Sequence, residues 1–355
     1  MKKFIINLII ALAVGCIFIV LMFTNQSADD AIRILKSIEY IYILFAFMCM
    51  VLLWVLGSLA IRIVKRGMIG RQKDPGGNFL SIIVHEFFCA VTPFSSGGQP
   101  ALVYVLTKKG LDAGTAASIA IIRSFLYQVT ELALSIFGFL LLRNYLLQHV
   151  SHFYAIFIPA IIICSVIVGI FLAFLGKGKL ANKTVSLVML IIQKFMPKKH
   201  EKIEKSVNES LASFKEGVRI FKTRPWFWVF SVLIQIAELL SIYMVPVFML
   251  RAIEGSFDNA LPLMVCTCIC SIIMSYVPTP GTTGGAEGFA VLLITPFFVS
   301  SLALPVILIW RLITYYSKIL FGGIGFMVAL RGKGSDGKKV KAKTKDLISQ
   351  ADSMM

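Results

Sequence analysis

Two arginines lie where arginine is costly. Arg123 falls about ten residues into the apolar run 113–142 and Arg311 about ten residues into the run 301–330, so at 1.5 Å per residue each would lie about 15 Å deep in a bilayer. An arginine at that depth costs at least about 2.5 kcal/mol on insertion scales and must face a counter-charge, a wet cavity or an anionic ligand. Tyr127 and Thr130 follow Arg123, and Tyr315 and Lys318 follow Arg311, in both cases at i+4 and i+7, which is one helical face. The chemistry such a face suits is phosphate binding, because guanidinium is a planar, permanently charged fork of donors. The competing role is an internal ion pair with Glu86, Glu131, Glu238 or Glu287, the acids of the apolar segments.

Two polar interruptions carry the second set of candidates: Thr92-Pro-Phe-Ser-Ser-Gly-Gly-Gln-Pro100 and Pro278-Thr-Pro-Gly-Thr-Thr-Gly-Gly-Ala-Glu287. Ser95, Ser96, Thr282 and Thr283 offer hydroxyls. Gly97, Gly98, Gly284 and Gly285 let the backbone come close to a ligand, and the helices that follow would point their N-termini at it. Gln99 and Glu287 stand just past the glycine pairs. Close helix packing is the competing role for the glycines. His85 beside Glu86 suits either a proton relay or a neutral imidazole bonded inside a bundle. No Ser-His-Asp arrangement, nucleotide loop or metal-ligand cluster is present, so catalytic residues, a metal and a cofactor are not expected. The Cys266-x-Cys268-x-Cys270 run does not alter this, since only its ends share a helical face and no His or acid is near.

The elements that must position these residues follow from composition. Of 355 residues 58% are hydrophobic and 15% charged, an apolar excess that excludes a soluble globule. All seven cysteines lie in apolar segments, as small hydrophobes would. Full spans are expected at Phe4–Phe23, Ile41–Ile63, Ala113–Leu142, Phe153–Leu175, Trp226–Leu250 and Ser301–Leu330, each long enough for a core of roughly 30 Å. Lys2 and Lys3 before the first imitate a signal peptide, but the run is of spanning length and reads as a retained helix. The two interrupted regions, 78–106 and 261–298, have arms too short or barely long enough to cross, and fit re-entrant hairpins. The fold expected is an all-α integral-membrane bundle of six full spans and two hairpins, about eight transmembrane segments by hydropathy.

The two interruptions match each other at an offset of 187 and the two arginine faces at 188, which predicts an internal duplication. Repeat 1 would cover about 1–142 and repeat 2 about 153–330, inverted because each holds an odd number of crossings. Charge supports one orientation. With the N-terminus inside, 28 of the 35 Lys and Arg fall in cytoplasmic segments and only Arg33, Lys36, Arg143 and Arg251 outside, as the positive-inside rule requires. The net charge of +17 is thereby explained without nucleic acid. The segment 177–224 contains Ile203, Val207, Leu211, Phe214, Val218 and Phe221 at spacings of four and three, an amphipathic helix that either lies on anionic lipid or packs on the bundle. Residues 331–355 read as a basic disordered tail after a single membrane domain, 1–330.

The two glycine motifs and the arginine helix between them resemble the lysylphosphatidylglycerol synthase transmembrane, or flippase-like, family, the membrane half of the bacterial multiple peptide resistance factors. The resemblance covers roughly Met1 to Leu330. It implies a flippase that moves aminoacylated phosphatidylglycerol across the membrane, with lysyl transfer performed by a soluble domain for which this chain has no counterpart. Many relatives have Gly-Glu where this chain has Gly98-Gln99, whereas Glu287 matches the acidic position of the second motif. The function expected is therefore translocation of an anionic, aminoacylated or polyprenyl-linked lipid in a bacterial plasma membrane, with both termini cytoplasmic. A lysyltransferase-type protein and a non-transporting scaffold are the alternatives. The expected partner is membrane phospholipid, with a separate lipid-modifying enzyme and a homo-oligomer left open.

Overall fold

Helices make up every regular element among the residues that the computed structural model describes, namely 38–70, 77–150, 152–175, 183, 186, 200–275, 277, 279, 282, 284–299 and 302–331. In order they are α1 (Tyr40–Ile69), α2 (Gly77–Val91), α3 (Gly98–Lys108), α4 (Ala113–His149), α5 (Phe153–Leu175), α6 (His200–Lys222), α7 (Pro225–Glu254), α8 (Ala260–Met274), α9 (Gly285–Leu293), α10 (Ala303–Arg311) and α11 (Ser317–Arg331). A π-helical stretch, Leu312–Tyr316, joins the last two. Five helices are long and apolar enough to cross a membrane: Tyr40–Ile69, Ala113–Gln148, Phe153–Leu172, Pro225–Glu254 and Pro305–Arg331. They account for five of the six expected spans. The sixth, Phe4–Phe23, lies outside the described residues, as do the tail past Arg331, Thr283 and most of 177–199.

Local chemistry sets the ends. Asp112 caps α4 by accepting from the Gly114 and Thr115 amides at 3.0 and 3.1 Å, satisfying orphan donors of the first turn. Pro225 opens α7, where its missing N–H costs nothing. Gly255 closes it with φ 74°, a left-handed conformation that glycine adopts freely. The expected end of the third span, Leu142, is instead a kink with φ −116° and ψ 16°, and α4 continues to His149. The chain carries on because the residues after Arg143 are again helix formers, and Leu146 is fully buried.

α1 and α7 pack along one another, α6 lies on α4 and α1, and α2 packs against α3, α1 and α11. The closest approaches use glycine. A Cβ at Gly57 would stand 2.8 Å from Ile82 Cγ1 and 2.9 Å from Glu238 Oε1, and one at Gly322 would stand 2.9 Å from the Ile83 carbonyl, so α1 and α11 meet α2 backbone to side chain as small residues permit. On the other faces Phe137, Leu140, Ile158, Ile162, Val166, Trp226, Leu233 and Met327 are exposed, which suits acyl chains and not water. The amphipathic segment packs on the bundle. Phe214, Val218 and Phe221 of α6 are buried against Met68, Ile119 and Ile122, while Ile203 and Val207 have side chains outside the described set.

Candidate functional site

The first interruption turns on a threonine. Thr92 Oγ1 donates to the Phe88 carbonyl at 2.6 Å and accepts from the Gly97 amide at 2.8 Å, folding the loop back onto the end of α2. Phe94 and Ser95 have φ of 56° and 52°, unusual for residues with a side chain. In the second interruption Thr282 has φ 56° and Gly284 φ 85°. The helices that follow begin at Gly98 and at Gly285, again 187 residues apart, and at both a Cβ has no room: it would overlap Cys89 Sγ at Gly98 and stand 2.7 Å from Val277 Cγ2 at Gly285. The two loops touch, the Phe94 amide donating to the Val277 carbonyl at 3.3 Å.

Three ion pairs stand beside these loops. Arg123 Nη2 donates to Glu238 Oε1 at 2.6 Å, joining α4 to α7, and both side chains are almost wholly buried. Arg311 meets Glu287 Oε1 through Nε and Nη2, each at 2.8 Å, while the other oxygen of Glu287 accepts from the Gly284 amide at 2.7 Å. Glu287 therefore ties the start of α9 to the guanidinium at the end of α10. Lys318 Nζ reaches Glu86 Oε2 at 2.8 Å, and Glu86 Oε1 lies 3.3 Å from His85 Nδ1. The guanidinium of Arg123 lies 6.0 Å from the Tyr127 ring centre and that of Arg311 4.4 Å from the Tyr315 ring centre, within cation–π range. Glu131 departs from the expected pairing with an arginine. It accepts from Ser271 Oγ at 2.8 Å and from the Tyr243 hydroxyl at 3.3 Å, because the helical turn that carries it faces α8 and the middle of α7.

These groups surround a cavity of about 370 Å³, within the roughly 300–1,000 Å³ usual for small-molecule sites. Arg123, Arg311, Tyr127, Tyr315, Lys318, Glu86, Glu238, Ser95, Ser96, Gln99 and Thr282 all line it, so most of the residues singled out from sequence meet in one place. Gly97, Gly98, Gly284 and Gly285 are not among the lining residues, Glu287 is paired to the lining Arg311, and Thr283 is outside the described residues. Several of the lining residues keep hydrogen-bonding capacity unspent. Among the described residues Arg123 Nε, Glu238 Oε2, Gln99 Oε1 and the Tyr315 hydroxyl have no partner, an expensive state for buried polar atoms unless a ligand or solvent meets them.

Other lining residues went unread in the sequence. Thr267, Ser271 and Ser275 all line the cavity, and their i, i+4, i+8 spacing on α8 was a visible signal: a hydroxyl stripe on an otherwise apolar helix. Tyr243 had no comparable signal, whereas His85, singled out from sequence beside Glu86, lines the cavity with the Gln99 amide nitrogen 3.3 Å from its Nε2. The π-helical turn directly after Arg311 was equally silent, although such turns gather at functional sites.

The comparisons with known proteins agree on one family. The chain is 24% identical over 330 residues to a UPF0104 membrane protein of Archaeoglobus fulgidus, covering 92% of this chain and 96% of that protein. It is 23% identical over 330 residues to a UPF0104 membrane protein of Methanocaldococcus jannaschii, covering 91% and 95%. No solved structure matches. The sequence model of the family described as the lysylphosphatidylglycerol synthase TM region matches residues 8–322. A multi-pass helical membrane protein with this match over most of its length belongs to the lysylphosphatidylglycerol synthase TM region family.

Proposed function

We propose that the protein is a lipid translocator, in which the cavity holds the head group of an anionic or aminoacylated phospholipid, or of a polyprenyl-linked lipid, while the acyl chains stay in the bilayer. The observation that carries this reading is the joint lining of one cavity by both arginines and both interrupted regions, with hydrogen-bonding capacity left over on Arg123, Gln99 and Tyr315. A phosphate brought to this depth would share the guanidinium donors with the carboxylates already there, taking the Arg123 Nε that no partner uses, so that its charge is met without stranding Glu238 or Glu287. Gly98 and Gly285 start helices beside the cavity, so their first amides add a favourable field for an anion.

The architecture proposed with it is two inverted repeats of three full spans and one hairpin, with both termini cytoplasmic, and alternating exposure of the central site by movement of one half against the other. The positive-inside distribution and the common helix start at Gly98 and Gly285 support it. No part of the proposal requires a catalytic group.

Reconstitution tests it. Proteoliposomes carrying fluorescent phosphatidylglycerol, lysyl-phosphatidylglycerol or phosphatidylethanolamine should move at least one probe between leaflets faster than empty vesicles. Arg123→Gln and Arg311→Gln variants that insert normally should lose most of that movement. If both variants translocate every lipid at the parent's rate, the arginines only brace the bundle and the head-group reading fails.

A further inference from the structure

Four carboxyls occupy the membrane core, and three of them, Glu86, Glu238 and Glu287, each hold a cation. Glu131 holds none among the described residues. It is 1% exposed, its Oε1 is bonded to the hydroxyls of Ser271 and Tyr243, and its Oε2 has no partner. A buried carboxylate without a counter-ion is far costlier than a buried carboxylic acid. Both hydroxyls that bond it also line the cavity, so a single hydroxyl on either side separates Glu131 from the space where the ligand would sit.

The neighbours reinforce this isolation. On α7 the facing groups are Tyr243 and, more than a turn earlier, Glu238, whose charge is matched by Arg123. On α8 they are Ser271 and Cys268, whose Sγ lies 3.8 Å from the Glu131 carbonyl and 2.9 Å from Ser135 Oγ. On α5 the facing group is Cys164, bonded to Gln128, and on α4 itself it is Tyr127. None of the ionisable side chains of α1, α3 or α6 bonds to Glu131 among the described residues. Among the described residues no positive charge touches the site, whereas Arg123, Arg311 and Lys318 line the cavity beyond the two hydroxyls.

We infer that Glu131 is a proton-binding site that exchanges with the cavity through Ser271 and Tyr243 and couples proton movement to the lipid movement proposed above. Loading forms an O–H bond at Oε1 with the proton that Ser271 or Tyr243 donates to it, and that hydroxyl is made whole by a proton from a hydronium ion of the cavity, whose O–H bond breaks. Unloading reverses it, with no oxidation or reduction. The coupling has a physical cause. An anionic head group in the cavity puts negative charge one hydroxyl away from Glu131, so head group and proton bind more tightly together than apart, and release of one loosens the other. The inference rests on the translocator reading only for its coupling half; the proton site stands by itself.

Difference infrared spectroscopy of the full-length protein in lipid, stepped over about pH 5 to 9, reads the site directly. The parent should show a carboxylic-acid carbonyl band that disappears as pH rises, missing in Glu131→Gln and displaced in Glu131→Asp, which keeps the carboxyl should the Gln variant fail to fold. A parent without such a band, or one that both variants leave unaltered, overturns the proton site. In proteoliposomes with the membrane potential clamped at zero, a one-unit pH gradient should redistribute fluorescent short-chain phosphatidylglycerol by up to about tenfold if one proton moves with one lipid, and Glu131→Gln should abolish the redistribution. Equal redistribution in parent and variant overturns the coupling while translocation stands. A titrating band in a parent that moves no lipid removes the translocator reading, and the coupling with it, but leaves the proton site in place.

Discussion

At the residue scale the two arginines have unequal dependence on their partners. Glu287 keeps a second donor, the Gly284 amide, if Arg311 is lost. Glu238 keeps no cation if Arg123 is lost, and its Oε2 already lacks a partner. Stranding one charge of a buried pair costs about 3–5 kcal/mol, so Arg123→Gln should lower thermal stability by close to that amount and Arg311→Gln by distinctly less. The double substitution Arg123→Gln with Glu238→Gln removes both charges and should recover most of the loss without recovering translocation. A double variant as unstable as Arg123→Gln alone would mean the charge pair is not what makes Arg123 matter. Sequence showed which ionisable residues were buried but not who pairs with whom. The pairs cross from α4 to α7 and from α2 to α11, and no spacing along the chain encodes such a contact. Glu131 illustrates the limit. Sequence offered it as one of four candidate partners for the arginines, whereas rotation of its helical turn gave it two hydroxyls.

At the element scale the interruptions were legible because Gly, Pro, Ser and Thr clustered within ten residues break an apolar helix, although single ones such as Pro159 and Pro246 do not. The starts of the following helices were not, and glycine makes both start earlier than hydropathy suggests, at Gly98 and Gly285. Gly98 has a testable reason to be glycine. A Cβ there overlaps Cys89 Sγ, so Gly98→Ala should cost about 1–3 kcal/mol by overpacking, and adding Cys89→Ala should recover part of it. Absence of any recovery would show that the neighbouring His85 Nε2, 3.0 Å from the same Cβ, sets the constraint instead. The amphipathic α6 was legible as a helix but not in its partner, since one apolar stripe suits lipid and protein equally. Its Phe221 is fully buried, with its ring centre 5.1 Å from that of Trp228 at a tilt of 51°. Phe221→Ala should therefore destabilise the fold by about 3–5 kcal/mol, measured as a fall in melting temperature in detergent. A helix that merely rested on lipid would lose membrane affinity with no such fall.

At the scale of the whole molecule, a repeated motif and a charge bias determine what can be tested without knowing the lipid. If the halves are inverted, the first interruption enters from the cytoplasmic side and the second from the opposite side, yet Phe94 and Val277 touch through their backbones and Ser95 and Thr282 line one cavity. Two hairpins from opposite faces can meet only if both tips reach the middle of the membrane. A single cavity that opens to each face in turn then exposes both tips to both sides over time. Single cysteines at positions 95 and 282, on a background freed of the native cysteines, should each react with a small hydrophilic thiol reagent added on either side, and a bound lipid should protect both together. Labelling of position 95 from the outside alone, or of position 282 from the inside alone, would contradict the inverted arrangement. Reaction of each position only from its own hairpin's side would keep the arrangement but reject alternating exposure, because a ligand held between such tips could never change sides.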